Sequence, residues 1–239
     1  GETCQKCKST ENITIDHLFP LSSGYPLNNL NAILLCKSCN SIKCNKSPYE
    51  FLDKATINNR FTLEEFEVSR CELGDISGQL QSLHYLMTMP PAPKHMFKLT
   101  LYGDTIGACV FGGPSRQNIK ADLELSRFFV MDGTPKNTES YFLGRCLQEL
   151  KHVGFKGKII SFADTTEGHE GTIYKATNWK SDGHTLPNYH YKIGDVRVHK
   201  RQVWNRAKTN GIKEAEQASL EGLAKTEELP KSRWVYEIK

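Results

Sequence analysis

The sequence predicts a mixed α/β protein, a small zinc-stapled ββα module followed by a larger α/β domain, and two observations carry that expectation. Two CxxC pairs, Cys4-Cys7 and Cys36-Cys39, bracket a segment too short to hold itself together by apolar burial, and four thiolates at this spacing can close a tetrahedral zinc site. Beyond about residue 83, apolar runs of strand character alternate with stretches of helical spacing. At 239 residues and 38% hydrophobic content, the chain can bury one core of ordinary size and a small satellite, so two unequal domains are expected.

Residues 11–19 alternate around Ile13, Ile15 and His17, as one strand of a hairpin would, and the turn-rich LSSGYPLNN follows. AILLC then leads into the second CxxC and a short helix through Ser41 and Lys43. EFLDKATI and FTLEEFEVSRCEL are expected to be helical, which places domain boundaries at 1–54 for the module, 55–82 for a helical linker and 83–239 for the second domain. GDISG and PPAP punctuate the passage. In the second domain FKLTLYGDTIGACVFGG predicts a hairpin about Gly103-Asp104, and LELSRFFVM a third strand. TESYFLGRCLQELKHVG carries Phe142, Cys146, Leu150 and Val153 at helical spacing and ends in glycine. KIISFAD is nearly all apolar, as a strand covered on both faces would be, with Asp164 at its carboxyl end, where open α/β sheets present their ligands. GTIYKATNW predicts a further helix and RWVYEI a closing strand; no internal repeat or low-complexity tract is found.

No apolar run approaches the length of a membrane span, and the chain starts inside a CxxC motif instead of a basic and apolar leader, so a soluble, cytoplasmic protein without a membrane partner is expected. Four of the eight cysteines form the metal-type pairs; Cys44, Cys71, Cys109 and Cys146 are scattered singly, the pattern of reduced thiols around one structural zinc. The net charge of +4 is modest, but from Lys192 to Lys213 there are seven Lys or Arg and Asp195 alone as an acid. That run, with Lys200, Arg201, Arg206 and Lys208, is either a DNA phosphate contact or a solvated face.

Within the cysteine frame stand Asp16, His17, Asn31 and Asn40. Phosphodiester hydrolysis needs a nucleophile generated near neutral pH and charge stabilisation on phosphorus, which an imidazole and a hard divalent ion supply. Thiolates favour zinc, whereas a carboxylate and an amide carbonyl favour an oxygen-seeking ion such as Mg²⁺, so two ions with two tasks are implied. The pattern CxxC, then DH followed by a proline, then N-x-x-L-L-C-x-x-C-N-x-x-K, resembles the HNH endonuclease family over roughly the first fifty residues. The resemblance implies His17 as general base, Asp16 and Asn40 as ligands of the catalytic cation, and Asn31 as the residue that orients the His17 strand. Asn40 stands where some relatives have histidine, which bears on metal preference. An alternative is a zinc-held module that only anchors the chain to DNA.

From about His84 onward the chain resembles the phage Mom family of DNA-modification proteins, whose fold is like that of GNAT acetyltransferases. The residues that carry this are HY at 84–85, ELSRFFV at 124–130, ESYFLGRCL at 139–147 and SFADTTEGHEGTIYKATNW at 161–179. The resemblance implies transfer of an acyl-type group to the exocyclic nitrogen of adenine in DNA, in a phage-encoded protein acting in the cytoplasm of its bacterial host, with His84, Tyr85 and Asp164 in the active site. Ser126, Arg127, Ser140, Tyr174 and Trp179 lie in its motif blocks. Asp164 is equally a candidate helix cap, and Tyr85, Tyr174 and Trp179 candidate core residues, beside the roles of catalyst and base-stacking platform. GTPKNTESYFLG lacks the closely spaced glycines with which GNAT enzymes cradle a pyrophosphate, which counts against acetyl-CoA and leaves the donor unidentified. The expectation is a DNA-processing fusion of nuclease and base-modifying transferase; a second domain that acylates protein or tRNA is the rival. Oligomeric state is not encoded in any motif.

Overall fold

The computed structural model describes residues 3–84, 89–90, 92–115, 119–194 and 196–239. Tyr85 and Asp195 therefore lie outside the described residues. Contacts group the chain into two compact units, Gly1–Ile159 with Glu237–Lys239, and Ile160–Tyr236.

The first unit opens with a ββα motif. Strands β1 (Ile13–His17) and β2 (Ala32–Cys36) pair antiparallel from Ile13↔Cys36 to His17↔Ala32, and helix α1 (Lys37–Lys43) follows directly. Short helices α2 (Pro48–Phe51) and α3 (Lys54–Asn58) come next, started by the side chains of Ser47 and Asp53, each of which accepts a backbone N–H of its own first turn. Leu18, Phe19, Ile33, Leu35, Phe51, Leu52 and Ile57 pack around the buried Cys4, Cys36 and Cys39. This core is small, so the cysteine cluster is part of what closes it.

Strand β3 (Phe66–Arg70) then corrects the helical reading of FTLEEFEVSRCEL. Phe66 and Val68 alternate with Glu67 and Ser69, and Phe66 is buried while Glu67 is exposed, a period of two. The strand pairs antiparallel with β4 (Pro93–Leu101) after helix α4 (Leu73–Ser82), so the stretch expected to be a helical linker contributes an edge strand. Strand β5 (Asp104–Gly112) pairs with β4 through a two-residue turn in which Tyr102 and Gly103 have φ of 49° and 88°, the type I′ geometry that suits hairpin twist. β6 (Leu123–Val130) pairs antiparallel with β5, and α5 (Thr138–His152) follows. From Ile106 onward β5 is apolar and buried because it is covered twice: Ile76 and Leu80 of α4 pack on Ala108 and Val110. On the other face Gly107 lies so near Phe142 of α5 that a Cβ there would come within 3.4 Å of its ring.

The module is joined to this sheet by specific contacts. Tyr25 donates its hydroxyl to Asp132 (2.7 Å), and Asn29 donates its backbone N–H (2.8 Å) and side-chain amide (2.7 Å) to Asp104 in the hairpin turn. Gly133, at φ 87°, lies where a Cβ would be 3.1 Å from both Leu18 and Phe19.

After β7 (Gly157–Ala163) come helix α6 (Thr172–Ala176) and strands β8 (Lys180–His184), β9 (Asn188–Ile193) and β10 (Val196–Val198). Helices α7 (Lys200–Asn210) and α8 (Glu214–Leu220) and strands β11 (Ala224–Glu228) and β12 (Ser232–Ile238) complete the chain. The main sheet runs β3-β4-β5-β6-β7-β12-β8, so the closing strand enters inside the sheet and β8 takes the edge. In the second unit a separate three-stranded sheet, β10-β9-β11, packs Tyr191 against Val203 of α7 and Ala218 of α8. No described helix is long and apolar enough to cross a membrane.

Candidate functional site

Each CxxC forms a tight turn in which the first thiol accepts the backbone N–H three residues on, Cys7 N to Cys4 Sγ and Cys39 N to Cys36 Sγ, both 3.5 Å. The four sulfurs of Cys4, Cys7, Cys36 and Cys39 all lie within 4.8 Å of one another. Burial acts to raise the Cys4 thiol, but backbone hydrogen bonds from Cys7, Cys36 and Lys6 outweigh it and bring it down to about 6. Burial and three neighbouring thiols push Cys39 up to about 12. Soft donors converging at this separation fit zinc, whose charge would ionise all four thiols.

The hairpin and α1 place the remaining residues of the module. Thr14 and Asp16 share a face of β1 at i and i+2, and Asn40 and Lys43 share a face of α1 at i and i+3, so one pair meets the other. Asn40 Nδ2 donates to Thr14 Oγ1 (3.1 Å), which donates to Leu35 O (2.9 Å); Oδ1 is the atom of this amide that could ligate a cation. Asp16 Oδ1 is 3.9 Å from His17 Nδ1, and Asp16 Oδ2 is 3.2 Å from Lys43 Nζ, whose side chain is 1% exposed. Asp16 thus lies beside His17 and Lys43, and Asn40 is tied to Thr14, two residues before Asp16 on the same strand.

Asn31 is 1% exposed and is hydrogen-bonded to the loop: Oδ1 accepts Phe19 N–H (2.7 Å), and Nδ2 donates to Phe19 O and Pro26 O (3.1 Å each). It pins the two residues that follow His17. Arg60 in turn donates to the carbonyls of Leu30 (2.9 Å) and Ala32, the two neighbours of Asn31, and burial pulls its pKa down to about 10. Neither Lys43 nor Arg60 was assigned a role from sequence. Lys43 had a signal, the N-x-x-K spacing that puts it beside Asn40 on one helix face; Arg60 had none.

Further along the chain, His84 is buried in the first unit just after α4, and Asp164 belongs to the second unit. Asp164 is 1% exposed: Oδ1 accepts Thr166 N–H (3.2 Å), capping a single helical turn, and Oδ2 accepts Lys231 Nζ (2.5 Å). Burial acts to raise its pKa, but the Lys231 hydrogen bond and charge together with Thr166 outweigh that and hold it below the usual carboxylate range. Tyr174 and Trp179 are packing residues. Tyr174 shares a hydrogen bond with Ser161 (2.8 Å) and stacks on Trp234 at 5.6 Å, and Trp179 is wedged between Tyr174 and Tyr236. Ser126 donates to Val110 O (3.1 Å), Arg127 to Ser126 O (2.7 Å) and Ser140 to Asn137 O (3.0 Å), all backbone ties. Of the basic candidates, Arg206 is held bidentate by Glu221 at 2.7 and 2.6 Å, and Lys200 donates to Asn188 (2.5 Å). Arg201 and Lys208 lie exposed on α7.

Compared with known families, residues 65–239 match the Mom protein family. The chain belongs to the Mom protein family. Residues 4–46, which hold the thiol cluster, Asp16, His17, Asn31 and Asn40, match HNH endonuclease, so an HNH module precedes the Mom domain. No curated protein matches the chain. Among solved structures it is similar to an IAA acetyltransferase from Bacillus cereus at 10% identity and a TM-score of 0.43, covering 72% of this chain and 99% of that one. A GNAT family acetyltransferase from Elizabethkingia anophelis with acetyl-CoA bound gives 10% identity and 0.44, over 73% and 99% of the two chains. An N-acetyltransferase from Staphylococcus aureus gives 8% and 0.40, over 72% and 97%. None of the three supplies a residue, donor or substrate to the Mom domain described here.

Proposed function

We propose that this protein is a DNA-processing enzyme whose HNH module hydrolyses phosphodiester bonds and whose Mom domain transfers an acyl-type group to adenine. The observation that carries the nuclease half is a thiol-stapled hairpin strand that presents Asp16 beside His17 and is tied at Thr14 to Asn40 of α1. In this reading His17 takes the proton of the attacking water, and Asn31, braced by Arg60, holds the loop after His17 still. Asp16 and the Asn40 carbonyl oxygen would hold a divalent cation, which when bound supplies charge neutralisation at the scissile phosphate.

In the Mom domain the reading assigns Asp164, His84 and Tyr85 to base modification. A carboxylate held below its ordinary range by Lys231 is a weak base, so Asp164 is proposed to orient groups through Lys231 and not to accept the adenine proton. The glycine-poor 133–144 segment supports a donor other than acetyl-CoA. A functional partition at 1–54, 55–82 and 83–239, and action on DNA in the cytoplasm of a phage-infected cell, belong to the same proposal.

The test has two arms. His17→Ala and Asn40→Ala are expected to lose divalent-ion-dependent cleavage while retaining zinc; cutting at the parental rate by either variant would show the roles to be wrong. Mass analysis of nucleosides from DNA of expressing cells is expected to reveal a modified adenine, and its absence beside acylated protein or tRNA would move the second activity to those substrates. The Lys43 ammonium on Asp16 favours one other reading of the module, a zinc-held DNA anchor, in which no variant has any cleavage to lose.

A further inference from the structure

Three tryptophans occur in the chain, and two are core: Trp179 is 4% exposed and Trp234 is 6% exposed. Trp204 is different. It sits in the middle of α7 at 48% exposure, on a helix whose buried stripe, Val203 and Ala207, points elsewhere. At helical spacing Arg201, Trp204, Asn205 and Lys208 fall on one face, and α7 carries four cations, Lys200, Arg201, Arg206 and Lys208, and no acid. Glu221, the residue after α8, is paired with Arg206, which stands two positions from Trp204 and so on the opposite flank of α7. Lys208 Nζ lies 5.4 Å from the Trp204 ring centroid, which adds a cation to the aromatic surface.

An exposed indole is costly in water, and a surface that presents one amid unpaired cations has a chemically defined complement: a polyanion with flat apolar rings. We propose that the Arg201-Trp204-Lys208 face of α7 binds DNA by stacking Trp204 on an unpaired base while Arg201 and Lys208 hold the flanking phosphates. This rests on the reading of the protein as a DNA enzyme and deepens it, since a base that is to be modified must leave the stack and the strand it leaves must be held. Arg206 takes no part, being paired within the unit, and Lys200 serves as a tie to Asn188.

The tryptophan is its own reporter, because the other two are buried. Titration of the full protein, without added divalent ion, with a single-stranded oligonucleotide is expected to quench the emission of Trp204. Trp204→Ala is expected to abolish the quenching and weaken single-strand binding about tenfold, within the range that loss of one stacked base removes. Its affinity for an intact duplex should change by less than about threefold, because phosphate contacts carry that affinity. Trp204→Phe keeps a ring and should bind within about threefold of the parent, which separates stacking from any disturbance of the helix. The double variant Arg201→Gln, Lys208→Gln should weaken both DNA forms alike and flatten the dependence on salt. Trp204→Ala binding single strands as the parent does, with parental emission unquenched, would leave α7 a phosphate surface at most and overturn the stacking. A parent protein that binds neither DNA form would overturn the DNA reading itself.

Discussion

Asp164 shows how one side chain can satisfy a structural demand that resembles a catalytic one. Its carboxylate ends an apolar strand, caps a helical turn and pairs with Lys231. Because the folded pKa is depressed, the stabilisation is present above the unfolded value of about 3.9 and is lost as pH falls through the folded one. Asp164→Asn is therefore expected to cost about 2 kcal/mol near neutral pH, with parent and variant converging in denaturant titrations as pH falls through the folded pKa of the parent. A constant difference across that range would mean that the pair does not carry the effect. Asn31 belongs to the same scale: three hydrogen bonds converge on a buried amide, so Asn31→Ala should cost about 2–3 kcal/mol and, on the proposed assignment, slow cleavage by loosening the loop after His17. What the sequence disclosed of such residues was their type and spacing. Lys231 was illegible, since only folding brings it to Asp164 across 67 positions.

The elements that sequence reveals are those whose pattern is set locally. The ββα hairpin, the β4-β5 hairpin, whose turn at Tyr102-Gly103 falls one residue before the expected Gly103-Asp104, and the α5 stripe were legible because turn chemistry and helical spacing act over a few residues. β3 was hidden, since Leu63, Phe66 and the acids around them satisfy a helical period as well as an alternating one, and the choice is made by pairing with β4. β9, β10 and β11 are short and polar, with their apolar contacts concentrated at Tyr191, so no run of residues announced them. Two predictions sit at this scale. Gly171 starts α6 at φ 73° with the Trp234 ring 2.5 Å from where a Cβ would be, so Gly171→Ala should cost at least about 2 kcal/mol in thermal melts. Cys36 is at once ligand and cap of α1, so Cys36→Ser should lose bound zinc by elemental analysis and open the loop between β1 and β2 to protease, whereas Cys44→Ser should do neither.

At the scale of the molecule, if the proposed nuclease assignment holds, chelation strong enough to remove zinc is expected to abolish cleavage that added Mg²⁺ does not restore, because the two ions would meet different donors: sulfur in the cluster, oxygen at Asp16 and Asn40. Zinc readdition should recover it; recovery by Mg²⁺ alone would mean that the cluster is dispensable. The family matches cover 4–46 and 65–239, whereas the segments expected from sequence are 1–54 and 83–239, with 55–82 as a linker between them. The join between the module and the first unit's sheet was not legible, since Tyr25, Asn29, Asp104 and Asp132 are ordinary surface residues until the fold brings them together.

That join bears on how the two parts can be inherited or engineered. A gene fragment ending before β3 would yield a module with Leu18 and Phe19 stripped of their seat at Gly133, and a partner whose Asp104 and Asp132 had lost their donors. Neither fragment is a clean cassette. Each would carry a raw edge, prone to self-association, that has to be re-dressed with polar residues before it could be moved into another protein.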